Sequence, residues 1–215
     1  MPSELSQPFV RQTLMTVGPV GALEVYFEPC SDQPARTAVL CAPNPRAGGT
    51  MGHKVVHAAA RALRQCGWHT LRFNYRGVGK SEGVSGEHGE ERDDVLSVLD
   101  FAARQLAQDQ DELLVAGFSF GSWVGIPVGE SHPRVGRMIG IGLPLAMREF
   151  PYAIGYGNKP LLVIQGTADE FSDRESVDSW VRARPARTEL VWVDCGHFFH
   201  GHLTDLENAI TSFSR

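Results

Sequence analysis

Three residues of this chain combine a nucleophile, a base and an acid: Ser119, His197 and Asp169. Ser119 is the centre of Gly117-Phe118-Ser119-Phe120-Gly121, which directly follows the apolar run Leu113-Leu114-Val115-Ala116. A strand that ends in G-x-S-x-G and turns into a helix holds its serine on a sharp, strained turn with the hydroxyl exposed. The two glycines leave room where backbone elements approach closely. The pentapeptide is short enough to arise by chance, and a glycine-rich turn with an ordinary N-cap serine is the competing reading. A serine hydroxyl is too weak an acid to attack a carbonyl unaided. It needs an imidazole to take its proton, and the imidazole needs a carboxylate to fix its tautomer and stabilise its cation.

Such groups must be delivered by a scaffold, and the rest of the chain reads as one. Leu14 to Val17 and Leu23 to Phe27 are short strand-like runs around Gly18-Pro19-Val20-Gly21, the pattern of an antiparallel hairpin. The pattern then alternates between strand and helix. Ala38 to Cys41, Thr70 to Phe73, Leu113 to Ala116, Met138 to Ile141, Leu161 to Ile164 and Leu190 to Val193 are the strands. Helical spacing marks Val55 to Cys66, with Gly67 as its stop, and Val95 to Leu106, with Glu90, Glu91, Asp93 and Asp94 where the helix dipole favours acids. A helix follows the elbow, with Pro127 in its first turns or at a kink. Leu203, Leu206, Ile210 and Phe213 mark the last helix, where Thr204 and Glu207 fit a capping box. The expected fold class is α/β: a doubly wound, mainly parallel sheet with the hairpin on one edge, forming a single domain over residues 1–215.

In such a sheet, reactive groups collect on loops at the C-terminal ends of the strands. The strand at Leu161 leads to Gly166-Thr167-Ala168-Asp169, and the strand at Leu190 leads to Asp194-Cys195-Gly196-His197. The chain order is therefore Ser, Asp, His. With these motifs the chain resembles the α/β-hydrolase family over roughly residues 36–205. Gly117 to Gly121 resembles the family's elbow, Gly166 to Asp169 its acid loop and Gly196-His197 its histidine loop. Arg72-Phe73-Asn74-Tyr75-Arg76-Gly77-Val78-Gly79-Lys80-Ser81 resembles the family's D-x-R-G-x-G-x-S segment, with Asn74 where Asp is usual. Gly48-Gly49-Thr50-Met51 and the later Arg-Gly-Val-Gly run are similar to a subgroup of small bacterial hydrolases. That subgroup carries a His-Pro pair where this chain has Ala42-Pro43-Asn44-Pro45.

The resemblance implies Ser119 as nucleophile, His197 as general base and acid, and Asp169 as the orienting carboxylate. It also implies an oxyanion hole made by the backbone N–H of Phe120 and by a donor from the loop after the first core strand. Position matching gives Asn44, because Pro43 and Pro45 carry no N–H. The implied activity is hydrolysis of carboxylic esters through an acyl-enzyme, without a cofactor or metal. A thioesterase or peptidase on the same triad, or a non-catalytic binding protein of the same fold, are the alternatives, since fold does not decide among them. Only Leu143 to Lys159 separates two strands where many relatives insert a cap. An open, lid-less site is therefore expected, with Met147, Phe150, Tyr152 and Tyr156 as candidate walls.

Other local patterns are weaker. Gly79-Lys80-Ser81 ends like a P-loop, but Asn74 stands where that pattern needs glycine. His53 and His57 are four apart, but Lys54 stands where a metalloprotease helix needs Glu, so a solvated helix face is expected for both. His197, His200, His202 and Asp194 have no diagnostic metal spacing. Asp173 and Asp178 are rival acids, expected in capping or solvated roles, Asp194 precedes His197 too closely to partner it easily, and Cys195 is expected to be a packed thiol.

Bulk composition agrees with an ordinary soluble globular protein. Hydrophobic residues make up 42% and charged residues 21% of 215, and the net charge is −5. That charge argues against nucleic-acid or anionic-membrane partners, and the partner that the resemblance implies is a small acyl substrate. No apolar run is long enough to span a bilayer, and the N-terminus lacks the pattern of a signal peptide. Cys30, Cys41, Cys66 and Cys195 are scattered, as expected of reduced thiols in a cytoplasmic protein.

Overall fold

The apolar runs become eight strands of one sheet, in the order β1-β2-β4-β3-β5-β6-β7-β8. The computed structural model describes residues 10–30, 36–106, 112–147, 150, 157–184 and 186–214. β1 (Gln12–Gly18) and β2 (Gly21–Glu28) form the expected hairpin, and β2 also runs antiparallel to β4 (His69–Phe73). From β4 onward every pairing is parallel, through β3 (Thr37–Cys41), β5 (Leu113–Phe118), β6 (Val135–Ile141), β7 (Leu161–Gly166) and β8 (Thr188–Val193). β3, β5 and β7 are buried at every position, as their unbroken apolar sequences require of strands covered on both faces.

Helices cover both faces. α1 (Lys54–Gln65) and α5 (Leu203–Ser214) pack with Leu40, Leu114 and Ile164 on one side. α2 (Glu91–Gln105), α3 (Phe120–Ser131) and α4 (Arg174–Arg182) pack with Val39, Val115 and Val163 on the other. Successive residues of one strand thus feed opposite cores, which is the period-two rule acting on a sheet with no wet face. Among the described residues, no helix is long and apolar enough to cross a membrane.

The order of the strands sets the place of the site. From β3 the chain goes to one neighbour, β4, and later returns to the other, β5, so the connections diverge at β3. Loops leaving the C-terminal ends on either side of such a switch open a crevice. Cys41 pairs with Gly117, and Phe118 with Ile141, so the loop carrying Asn44 and the turn carrying Ser119 leave the sheet side by side.

Two local expectations are corrected and one is extended. Pro127 lies deep inside α3, beyond the first turns, and the helix runs on to Ser131 without its N–H. The capping box does not form: Thr204 is already within α5, and Glu207 instead accepts from Arg61 Nε of α1 at 2.9 Å. The acids that open α2 do more than meet its dipole. Asp94 is fully buried and receives Arg76 Nε at 3.0 Å and Arg76 Nη2 at 2.8 Å, while Glu91 accepts from Ser85 Oγ at 2.8 Å and Gly86 N–H at 3.0 Å.

Asn74, the departure from the family segment, has a physical reason. Its Nδ2 donates to Glu24 Oε2 at 2.8 Å, and its Oδ1 accepts from Met51 N–H at 2.9 Å. Glu24 is buried and also receives Lys80 N–H at 3.0 Å. An aspartate at 74 would keep the bond to Met51 but set a second carboxylate against Glu24, and two such charges at contact disfavour each other. Asn74→Asp is therefore expected to lose about 2 kcal/mol at pH 8 in thermal or urea unfolding. The native variant would bind a proton more readily than its unfolded chain, so the loss should shrink as pH falls. Glu24→Gln in the same chain should recover most of the stability. A variant as stable as the parent at pH 8 would show that the two side chains are not opposed.

Candidate active site

The elbow is built by close backbone contact. Ser119 has φ 54° and ψ −118°, a region that costs a non-glycine residue about 1–3 kcal/mol and persists only where the surroundings enforce it. A Cβ on Gly117 would lie 2.3 Å from the Gly121 carbonyl carbon, and one on Gly121 would lie 2.3 Å from Cys41 O. Both obstacles are main chain, so neither can move aside. Ser119 N–H donates to Ile141 O at 2.8 Å, which ties the turn to the end of β6. Ser122 Oγ lies 2.8 Å from Gly117 O and accepts Ile141 N–H at 3.2 Å, locking β5, β6 and α3 together below the serine.

Asp169 and His197 meet as the chain order implied. His197 Nδ1 is 2.8 Å from Asp169 Oδ2, and both residues are buried. Gln165 Nε2 donates to the same Oδ2 at 2.7 Å, and Phe171 N–H donates to Oδ1 at 2.8 Å. These contacts hold the carboxyl group in one orientation, and as an acceptor Oδ2 takes a hydrogen bond from the proton on His197 Nδ1. Nε2 of His197 is then left with a lone pair, the state a base needs. The ring is also held by shape. Phe171 meets it edge-on at 4.6 Å and Phe198 at 5.2 Å, Phe118 lies tilted against it at 5.0 Å, and Gly142, at φ 57°, leaves it space that a Cβ would narrow to 3.1 Å.

Ser119, His197, Phe120 and Asn44 line one cavity of about 220 Å³. Asn44 Oδ1 accepts from Arg46 N–H at 3.0 Å, and its carbonyl accepts from Ala47 and Gly49 N–H. Its own N–H has no acceptor among the described residues, so it is available to a ligand. Phe120 is the first residue of α3, where N–H groups and the helix dipole favour negative charge.

The rival groups are placed elsewhere. Asp173 caps α4 through Ser176 N–H at 2.8 Å, Asp194 accepts from Thr167 Oγ1 at 3.0 Å, and Asp178 lies within α4. His200 pairs with Lys54 Nζ at 2.7 Å and His202 with Asp205 at 2.9 Å. Cys195 is buried, and burial pushes its thiol up; Cys41 is pushed to about 12, so neither offers a thiolate. All four cysteines are free.

Two expectations about the walls change. Phe150 is buried against Trp180 at 5.3 Å and does not line the cavity, whereas Met147 does; Tyr152 and Tyr156 lie outside the described residues. His53 is not on a solvated face. It caps α1, accepting Val55 N–H at Nδ1, and lines the cavity; only His57 is exposed. Gln165 was also missed. The signal for it was a polar residue closing an apolar strand four positions before Asp169.

Comparison with known proteins agrees with this geometry. Residues 36–204 match the alpha/beta hydrolase domain. The structure is similar to an alpha-beta serine hydrolase homologue from Coxiella burnetii, at 33% identity and a TM-score of 0.88, covering 97% of this chain and 99% of that one. It is also similar to XC6422 from Xanthomonas campestris, an a/b serine hydrolase without lid, at 35% identity and a TM-score of 0.84, covering 99% of this chain and 94% of that one. The uncharacterized protein RP471 of Rickettsia prowazekii is 26% identical over 204 residues, 91% of this chain and 85% of that protein. As in the lid-less structure, no cap domain is inserted between β6 and β7 among the described residues. The chain belongs to the alpha/beta hydrolase domain family.

Proposed function

We propose that the protein is a serine hydrolase that cleaves carboxylic esters through an acyl-enzyme. The observation that carries this reading is a strained Ser119 sharing one cavity with His197, whose Nδ1 is bound to the buried Asp169. Ser119 Oγ attacks the acyl carbon while His197 Nε2 takes its proton. The oxygen that becomes negative is met by the N–H groups of Phe120 and Asn44, each such donor worth about 10²–10³ in rate. His197 then protonates the departing alcohol, and the same base activates the water that frees the acid. A cavity of about 220 Å³ suits a short acyl group better than a long lipid. An ester rather than a metal-bound substrate fits a site whose charge handling is done by backbone donors. The compartment that goes with four free thiols is the cytoplasm.

Ser119→Ala should abolish labelling by a fluorophosphonate and lower hydrolysis of short p-nitrophenyl esters by about 10³-fold or more. Undiminished labelling and turnover in that variant would refute the assignment. Wild-type protein that takes up no fluorophosphonate would instead favour a non-catalytic binding role. Rates on matched thioesters and aminoacyl amides separate the thioesterase and peptidase readings from the esterase one. Gln165→Leu removes a donor from Asp169 without touching substrate, so kcat should fall about tenfold with KM little changed. A change confined to KM would show that Gln165 acts on binding instead.

A further inference from the structure

His53 reaches the cavity with its chemistry already fixed. Its Nδ1 lies 3.3 Å from Val55 N–H. A backbone N–H can only donate, so Nδ1 holds a lone pair and the proton of the neutral ring is on Nε2. Burial, and then the neighbouring Lys54 ammonium, lower its pKa and favour the neutral ring. The orientation is fixed as well. One edge is pinned by the cap at the start of α1, and one face lies on Phe118 with centroids 4.9 Å apart and planes 22° from parallel. The other ring nitrogen carries Nε2–H, for which no acceptor stands among the described residues, and the ring lines the cavity.

The surroundings make that donor conspicuous. Pro43, Phe118, Pro144, Met147, Phe171 and Phe198 give the cavity mainly apolar walls. Beyond Ser119 and His197, its polar side chains are Asn44, whose oxygen is committed to Arg46 N–H, and His53. Lys54, next to His53, is turned to His200. In an apolar cavity, a few fixed polar groups set orientation and specificity.

We propose that His53 selects the acyl group, its Nε2–H donating a hydrogen bond to an ether or hydroxyl oxygen on the chain of a short ester. This rests on Ser119 being the nucleophile. The favoured substrates are short esters that carry an oxygen beyond the reacting carboxyl group. A plain hydrocarbon chain leaves the donor without a partner, and sites built to bond an oxygen discriminate against analogues that lack it.

The test compares p-nitrophenyl butyrate with p-nitrophenyl methoxyacetate, in which one CH₂ becomes oxygen, and with the 3-hydroxybutyrate. Each is assayed with wild type, His53→Phe and His53→Ser, all checked by thermal unfolding. Phenylalanine keeps a ring on Phe118 but loses cap and donor; serine keeps a capping oxygen but loses the ring and the Nε2–H it holds in place, its own short hydroxyl lying closer to the backbone. The ratio of kcat/KM for at least one oxygenated ester over butyrate should fall about tenfold in both variants, mainly through KM. Ratios unchanged for both oxygenated esters, or falling in only one variant, would overturn the assignment to the donor. If wild type cleaves none of the esters and takes up no fluorophosphonate, the serine-hydrolase reading fails first, and the role of His53 falls with it.

Discussion

Everything at this site depends on how closely α3 approaches the ends of β3 and β5. The backbone of Gly121 abuts Cys41 O and Ala42 O, and Gly117 abuts the Gly121 carbonyl. Side chains at either position would push the helix away and let Ser119 relax from φ 54°. The strain at Ser119 is thus a consequence of packing density, held in place by Ser119 N–H on Ile141 O and by the buried Ser122 hydroxyl. That one close approach also places the N-terminus of α3 beside the loop of Asn44, so the proposed oxyanion donors and the proposed nucleophile share a single structural cause.

The loops around the cavity are anchored by buried polar groups rather than by a cap domain. Asn74 joins β4 to Glu24 of β2 and to Met51 of the loop before α1. Arg72 donates to Met51 O at 3.0 Å and to Glu28 at 2.9 Å. Arg76 fastens the following segment to Asp94 of α2. Each of these groups is buried and bonded, so each would be costly to unpair. The loop that bears His53 inherits its position from this network, since Met51 is held at both its N–H and its carbonyl.

Around His197 the same economy is visible in apolar form. Three phenylalanines and Gly142 hold the ring while Gln165 and Phe171 N–H hold its carboxylate partner. Phe171 serves both tasks, its backbone bonding Asp169 and its ring meeting His197. Phe118 lies between the two histidines, touching His53 at 4.9 Å and His197 at 5.0 Å. Position 118 within the elbow therefore shapes the cavity as well as filling the turn.

The sequence by itself determined the strand and helix alternation, the hairpin at the edge, the elbow and the order of Ser119, Asp169 and His197. Those features are local: apolar runs, glycines at fixed offsets and polar residues at strand ends follow from the chemistry of neighbouring residues. Only the tertiary structure decided the roles of Gln165, His53 and Asn74, the failed capping box at Thr204 and the burial of Phe150 against Trp180. Each of these depends on a partner distant in the chain, such as Asp169 bridging to His197 or Glu24 reaching Asn74. His53 shows the reason most directly. Its spacing from His57 describes one helix, but its environment is set by Phe118 and His197, which arrive on β5 and after β8. Burial and bonding across a sheet are made by register and packing between segments, and a reading of neighbouring residues contains neither.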